Sequence, residues 1–189
     1  VGNHGTQVLQ MIDAAQKNAK VEIDQPVAPF SLPNYDGKTV SVGDWSTHKA
    51  TAILFIATQC PISNAYNERM AEIAKTYGAK GVRFVGVNSN KQENVTEIAG
   101  HAKQHGFSFP VLKDEGNKIA DRFEAQVTPE VYVVDNKGVL RYHGYIDDSR
   151  NPNNVKSRDL QNALDALLAN KPVPVKETSA FGCSIKRVG

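Results

Sequence analysis

Ala50-Thr51-Ala52-Ile53-Leu54-Phe55-Ile56-Ala57-Thr58-Gln59-Cys60-Pro61-Ile62-Ser63 is the stretch from which the rest of the chain can be understood. Residues 50–57 form a near-continuous apolar run of the kind that becomes a strand buried on both faces. Cys60 and Pro61 follow, and a helical pattern opens near Asn64. Proline suits a first helical turn, because the N–H it lacks has no intrahelical partner there. The thiol of Cys60 is thereby expected at a helix N-terminus, where free N–H groups and the positive end of the dipole stabilise a thiolate. Thiolates attack disulfides and peroxides, so the stretch points to redox chemistry. Ser63 stands where a second cysteine would complete a paired motif. Its hydroxyl, one turn along, is either a hydrogen-bond donor to the thiolate or a solvated first-turn serine.

Working outward, a strand at 82–88 follows a helix expected at 61–77, so the two strands should lie parallel with a crossover between them. Cys60 then sits at the carboxyl end of a central strand, where open α/β sheets place their active sites. Upstream, Val8, Met11, Ile12 and Ala15 mark one face of a helix over 6–20, and residues 30–42 form a hairpin around Asp36-Gly37. Downstream come a helix over 95–105, an extended piece at 109–112 and a short helix at 117–123. Two strands, 131–135 and 139–145, flank the turn Asn136-Lys137-Gly138, and a last helix covers 155–169. The tail, 171–189, shows no clear period. The expected organisation is a helical arm at 1–24, an α/β domain at 25–170 with a mixed sheet and helices on both faces, and a cysteine-bearing tail.

Composition narrows the class. The chain has 189 residues, a formal net charge of +2, 40% hydrophobic and 22% charged residues, which is ordinary globular usage with no basic stripe for nucleic acid. No apolar run approaches bilayer length. Two cysteines are too few for a disulfide scaffold, yet sufficient for one functional pair.

Three segments in combination resemble the thioredoxin-like superfamily, in its redoxin branch (alkyl hydroperoxide reductase/thiol-specific antioxidant). They are residues 55–63 around Cys60, Val127-Thr128-Pro129-Glu130 ahead of a strand, and the closing hairpin through His143-Gly144-Tyr145. The resemblance spans roughly 25–169 and is nearest to peroxiredoxin-like proteins that keep a single active-site cysteine. Some of those carry a late Gly-Cys-x-Ile element, as Gly182-Cys183-Ser184-Ile185 does here. It implies a three-layer α/β/α fold with a redoxin-type insertion at 88–123. It also implies a cis proline at Pro129, and a groove in which Pro61, Thr128, Pro129 and Glu130 meet an extended substrate through the exposed backbone of Thr128. Neither a cofactor nor a metal is implied.

The departures are specific. Leu54 replaces the buried acid of thioredoxins, and Ala57 and Ile53 replace the threonine and proline of peroxiredoxins. Glu130 is either a proton carrier beside Cys60 or, more simply, a solvated strand residue. Cys183 is either the resolving partner of Cys60 or a tail thiol without a redox role, and geometry decides which. His101 and His105 stand at metal-ligand spacing but lack a third ligand, so a solvated helix face is expected. His143 with Cys60 would make an incomplete copper site. The function read from these residues is thiol-based oxidation–reduction of a disulfide or hydroperoxide, with Cys60 as nucleophile and Cys183 or an external thiol resolving. The alternatives are an antioxidant peroxidase and a non-catalytic module binding protein or metal. The partners expected are a protein disulfide or thiol or a small hydroperoxide, with an external thiol reductant. A start at Val1 together with the tail-cysteine relatives suggests export to a periplasm or beyond, a cytoplasmic setting being the alternative.

Overall fold

The computed structural model describes residues 20–189. The helix expected at 6–20 and most of the arm expected at 1–24 lie outside them. The strands are β1 (Phe30–Pro33), β2 (Thr39–Val42), β3 (Ala50–Phe55), β4 (Val82–Asn88), β5 (Val111–Lys113), β6 (Val127–Thr128), β7 (Glu130–Asp135), β8 (Leu140–Gly144) and β9 (Cys183–Ser184). The helices are α1 (Pro61–Ala65), α2 (Asn67–Gly78), α3 (Val95–Gln104), α4 (Lys118–Phe123) and α5 (Asp159–Leu168).

The central sheet has the order β5-β4-β3-β7-β8. β4 is parallel to β3 and to β5, while β7 is antiparallel to β3 and β8 to β7. Every residue of β3 and of β7 is buried. Their side chains therefore feed two cores, one on each face. Ala50, Ala52 and Leu54 pack with Met70, Ile73 and Tyr77 of α2 and with Leu160 and Leu164 of α5. Ile53 and Phe55 face the other way, onto Phe30 and Leu32 of the hairpin and Phe123 of α4. Each of the Leu, Ile, Met and Phe side chains contributes about 1.5–3 kcal/mol by leaving water. The result is the three-layer thioredoxin-like arrangement with a mixed sheet.

Several boundaries differ from the expected ones for local reasons. The helix expected over 61–77 is divided at Tyr66, whose φ of −98° and ψ of −1° break the ladder. Its ring is buried, and its hydroxyl donates to Asp147 Oδ1 at 2.7 Å. Tertiary burial of that side chain overrides helical continuity. The last helix begins at Asp159, because a 3-10 turn, Pro152–Asn154, comes first and the Asp159 carboxylate accepts from the hydroxyls of Tyr145 and Ser157. The turn between β7 and β8 is held by Asp135, which accepts from the backbone N–H groups of Lys137 and Val139 at 2.9 and 3.0 Å.

The tail is the largest difference. Without a sequence period, it runs as an ordered strap across the carboxyl end of the sheet. His143 N–H donates to Lys176 O and Thr178 N–H to His143 O, both at 3.0 Å, which extends the sheet beyond β8. Further on, β9 pairs antiparallel with β6, Thr128 opposite Cys183 and Val127 opposite Ser184. Ile185 then enters the second core, and Lys91 N–H donates to Lys186 O at 2.8 Å.

Candidate active site at the end of strand β3

The polypeptide leaves β3 at Phe55, crosses Thr58 and Gln59, and begins α1 at Pro61 with Cys60 as its N-cap. Cys60 is 4% exposed. Its sulfur accepts from the backbone N–H of Ser63 at 3.2 Å. α1 has only five residues, so this single aligned N–H, rather than a long macrodipole, is what favours negative charge on sulfur. The Ser63 hydroxyl does not perform that task. It is fully buried and accepts from Ala57 N–H at 3.2 Å, locking the end of the strand to the first turn of the helix. Pro61 is exposed at the first helical position.

Opposite stands the Thr128–Pro129 peptide, which is cis. The carbonyl oxygen of Thr128 lies 3.5 Å from Cys60 Sγ. The backbone of Thr128, expected to be exposed, is only 2% exposed as a residue, because Cys183 pairs with it. Cys183 is joined to Cys60 by a disulfide, with Cα atoms 5.9 Å apart across a sequence separation of 123. That pairing bridges the groove between α1 and the Pro129 loop. Cys183 is partly exposed where Cys60 is not. An incoming thiolate that attacked the more exposed Cys183 would release Cys60 as the leaving group, beside the Ser63 N–H.

Glu130 is buried rather than solvated, at 4% exposure. One carboxylate oxygen accepts from Gln126 N–H at 2.8 Å and from Val127 N–H at 3.2 Å, and the other from Tyr132 hydroxyl at 3.1 Å, with His143 Nε2 at 2.5 Å. Burial pushes its pKa up, but His143 and the two backbone N–H groups outweigh that, and Glu130 stays below the usual carboxylate range. An ionised Glu130 thus clamps the β6 segment that forms one wall of the groove. His143 is committed to this clamp, its ring stacked on Tyr132 at 4.2 Å between centroids. His101 bonds Asn64 Oδ1 at 2.8 Å, with its ring 4.4 Å from that of His105. Among the described residues no group of three or more His, Cys, Asp or Glu side chains is placed to hold a metal ion.

One residue that the sequence reading missed is Glu93. It is fully buried and accepts from Thr58 N–H at 2.5 Å, Thr58 hydroxyl at 2.8 Å, Asn88 at 2.9 Å and Asn90 at 2.7 Å. Burial raises its pKa, yet these donors leave it lowered overall. Lys113 closes the network by donating to the carbonyls of Asn90 and Glu93. Asn90 also accepts from Lys186 N–H at 2.7 Å. One buried carboxylate therefore supports both the loop that delivers Cys60 and the tail that delivers Cys183. The cluster Asn88, Asn90, Glu93 and Lys113, placed around otherwise apolar strand ends, was the available signal.

Several known proteins resemble this chain. A Geobacillus kaustophilus protein, whose crystal structure is described as that of an uncharacterized conserved protein, superposes with a TM-score of 0.81 at 35% identity, covering 87% of this chain and 92% of that one. A chloroplastic peroxiredoxin Q of Populus jackii is 26% identical over 149 residues, 74% of this chain and 68% of that protein. The thiol-disulfide oxidoreductase ResA of Halalkalibacterium halodurans is 23% identical over 115 residues, 60% of this chain and 64% of that protein. The model of the AhpC/TSA family matches residues 23–143, a span that contains Cys60, the cis-proline loop and Glu93. With its cysteines joined across the groove of a thioredoxin-like fold, the chain belongs to the AhpC/TSA family of thiol-based redox proteins.

Proposed function

We propose that this protein is a thiol–disulfide oxidoreductase acting on a polypeptide disulfide, with Cys60 as nucleophile and Cys183 as resolving cysteine. The observation that carries the reading is the Cys60–Cys183 disulfide, made while Cys183 lies as an antiparallel strand on Thr128. A groove that pairs backbone with backbone suits an extended polypeptide better than a small peroxide.

The steps follow from the geometry. In the reduced protein the Cys60 thiolate attacks one sulfur of the substrate disulfide, forms a mixed disulfide and expels the other substrate sulfur as thiolate. Cys183 thiolate then attacks Cys60 sulfur, expels the remaining substrate thiolate and leaves the Cys60–Cys183 bond. The substrate is reduced by two electrons and the protein oxidised by two. An external thiol reductant attacks the partly exposed Cys183, releases the Cys60 thiolate and forms a mixed disulfide on Cys183. A second reductant thiol displaces it as the reductant's own disulfide and restores the starting state. Pro61, Thr128 and Pro129 line the groove, Ser63 N–H steadies the Cys60 thiolate, and Glu130 holds β6 in place.

A second reading, thiol peroxidase, draws on the likeness to peroxiredoxin Q, against which stand Ala57 and Ile53. The test is to offer the reduced protein, in parallel, a protein disulfide and one equivalent of hydrogen peroxide. Product mass and peptide mapping then follow the cysteines. Faster Cys60–Cys183 formation with the protein disulfide supports the proposal, faster formation with peroxide favours the peroxidase, and unmodified cysteines in both favour a binding module.

A disulfide of this kind persists in oxidising compartments, which supports export of this chain. No helix among the described residues is long and apolar enough to cross a membrane.

A further inference from the structure

The segment 181–185 is bound as a substrate strand would be. Cys183 makes the covalent bond to Cys60 and the backbone pairing to Thr128. Ile185 N–H donates to Gln126 O at 3.0 Å. Two residues before the cysteine, Phe181 lies between the rings of Tyr66 and Tyr145, with centroids 6.4 and 6.2 Å away. Two residues after it, Ile185 is 6% exposed in the second core. Between them, Gly182 sits so close to the groove wall that a Cβ would stand 1.9 Å from Thr128 O. The spacing Phe181, Cys183, Ile185 is the period of a strand presenting one face. The fit is incomplete at one point: the Thr128 hydroxyl is buried and has no hydrogen-bond partner. Such an orphan costs stability that a segment supplying a partner would recover.

Resting on the thiol–disulfide reading above, we infer that residues 181–185 are a tethered likeness of the polypeptide segment this groove takes in trans. The preferred substrate is accordingly an extended segment whose cysteine follows a glycine, with an aromatic side chain two residues before the cysteine and an aliphatic one two after. Tail and substrate compete for one site, so the oxidised protein is closed to peptides.

The test uses the full chain carrying Cys183→Ser and Gly182→Val, in which the tail can neither bridge nor seat. It is mixed with the peptide Ala-Phe-Gly-Cys-Ser-Ile-Lys, whose cysteine carries a nitrothiobenzoate disulfide. Cys60 thiolate attacks the peptide sulfur, forms Cys60–S–S–peptide and releases one nitrothiobenzoate anion, which is coloured. Peptides with Gly→Val, Phe→Ala or Ile→Ala run alongside. The expected result is at least about tenfold slower release for the Gly→Val peptide, and smaller losses for the other two. Equal rates for all four overturn the inference while leaving Cys60 chemistry intact. No release with any peptide, or with free dithionitrobenzoate, overturns the redox reading itself. Should the double variant fail to fold, Cys183→Ser alone with excess peptide must give the same order of rates. In the parent chain, a dimer joined by Cys60 of one copy and Cys183 of the next that shuts out peptide would make a second copy the occupant, and would overturn the inference.

Discussion

Gly182 approaches the groove wall so closely that a Cβ on it would lie 1.9 Å from the carbonyl oxygen of Thr128. Gly144 repeats the device at the other end of the strap, where a Cβ would stand 1.9 Å from Thr178 Oγ1. Backbone cannot yield as a flexible side chain can, so a methyl group at Gly182 must lift the tail. Overpacking of this kind costs about 1–3 kcal/mol, and the cost falls on the disulfide-bonded state. The reduction potential of Gly182→Ala should therefore rise by about 20–65 mV, since ~1.4 kcal/mol corresponds to about 30 mV for a two-electron couple. Equilibration against dithiothreitol measures it, and an unchanged potential would show that the tail seats without this contact.

Removing the resolving sulfur should expose the nucleophile to its own oxidation. Cys183→Ser treated with excess hydrogen peroxide is expected to accumulate sulfinic acid on Cys60, where the parent chain forms the disulfide. Peptide mass mapping reads the outcome, and equal sulfinic yields in both proteins would count against resolution by Cys183.

The acidity of Cys60 can be read in the same variant. Its sulfur has the Ser63 N–H at 3.2 Å, which favours the thiolate. The pH profile of alkylation should have its midpoint below the free-cysteine value of about 8.5. A midpoint at or above that value would mean that burial and the nearby Thr128 carbonyl dominate.

Glu93 governs acid stability. Its folded-state pKa is lowered from 4.5, so its contribution is complete at pH values above that figure. The contribution is lost as pH falls through the lowered folded value. Glu93→Gln replaces one acceptor oxygen by a donor facing donors, and should cost about 2–4 kcal/mol at neutral pH. The difference from the parent chain should narrow as acid protonates Glu93. Urea unfolding at several pH values reports both. A constant difference across the acid range would place the stabilisation elsewhere.

Much of the framework could be read in the sequence because it is written in side-chain period. The run at 50–57 announces a doubly buried strand, and Cys60-Pro61 announces a helix start immediately after it. Tyr66 was not legible, since a tyrosine within an amphipathic pattern gives no sign that its hydroxyl will seek Asp147. Glu130 was misjudged because a charged residue opening a strand ordinarily faces water. Only the fold brings the N–H groups of Gln126 and Val127 to one of its oxygens and Tyr132 and His143 to the other. The strap was hidden for a different reason. Several of its attachments, His143 to Lys176 and Thr178 and Gln126 to Ile185, run from backbone to backbone, and backbone pairing imposes little on composition.

The 123 positions between Cys60 and Cys183 also set an order in time. During synthesis the nucleophile emerges long before its partner, and the strands and helices that enclose it can assemble while the groove stands empty. Through that interval Cys60 is open to whatever thiols and disulfides surround the growing chain. Arrival of residues 176–186 closes the groove from the β8 side to the Lys91 loop. A ribosome-bound chain halted before Cys183 should therefore carry adducts on Cys60 that the finished protein lacks.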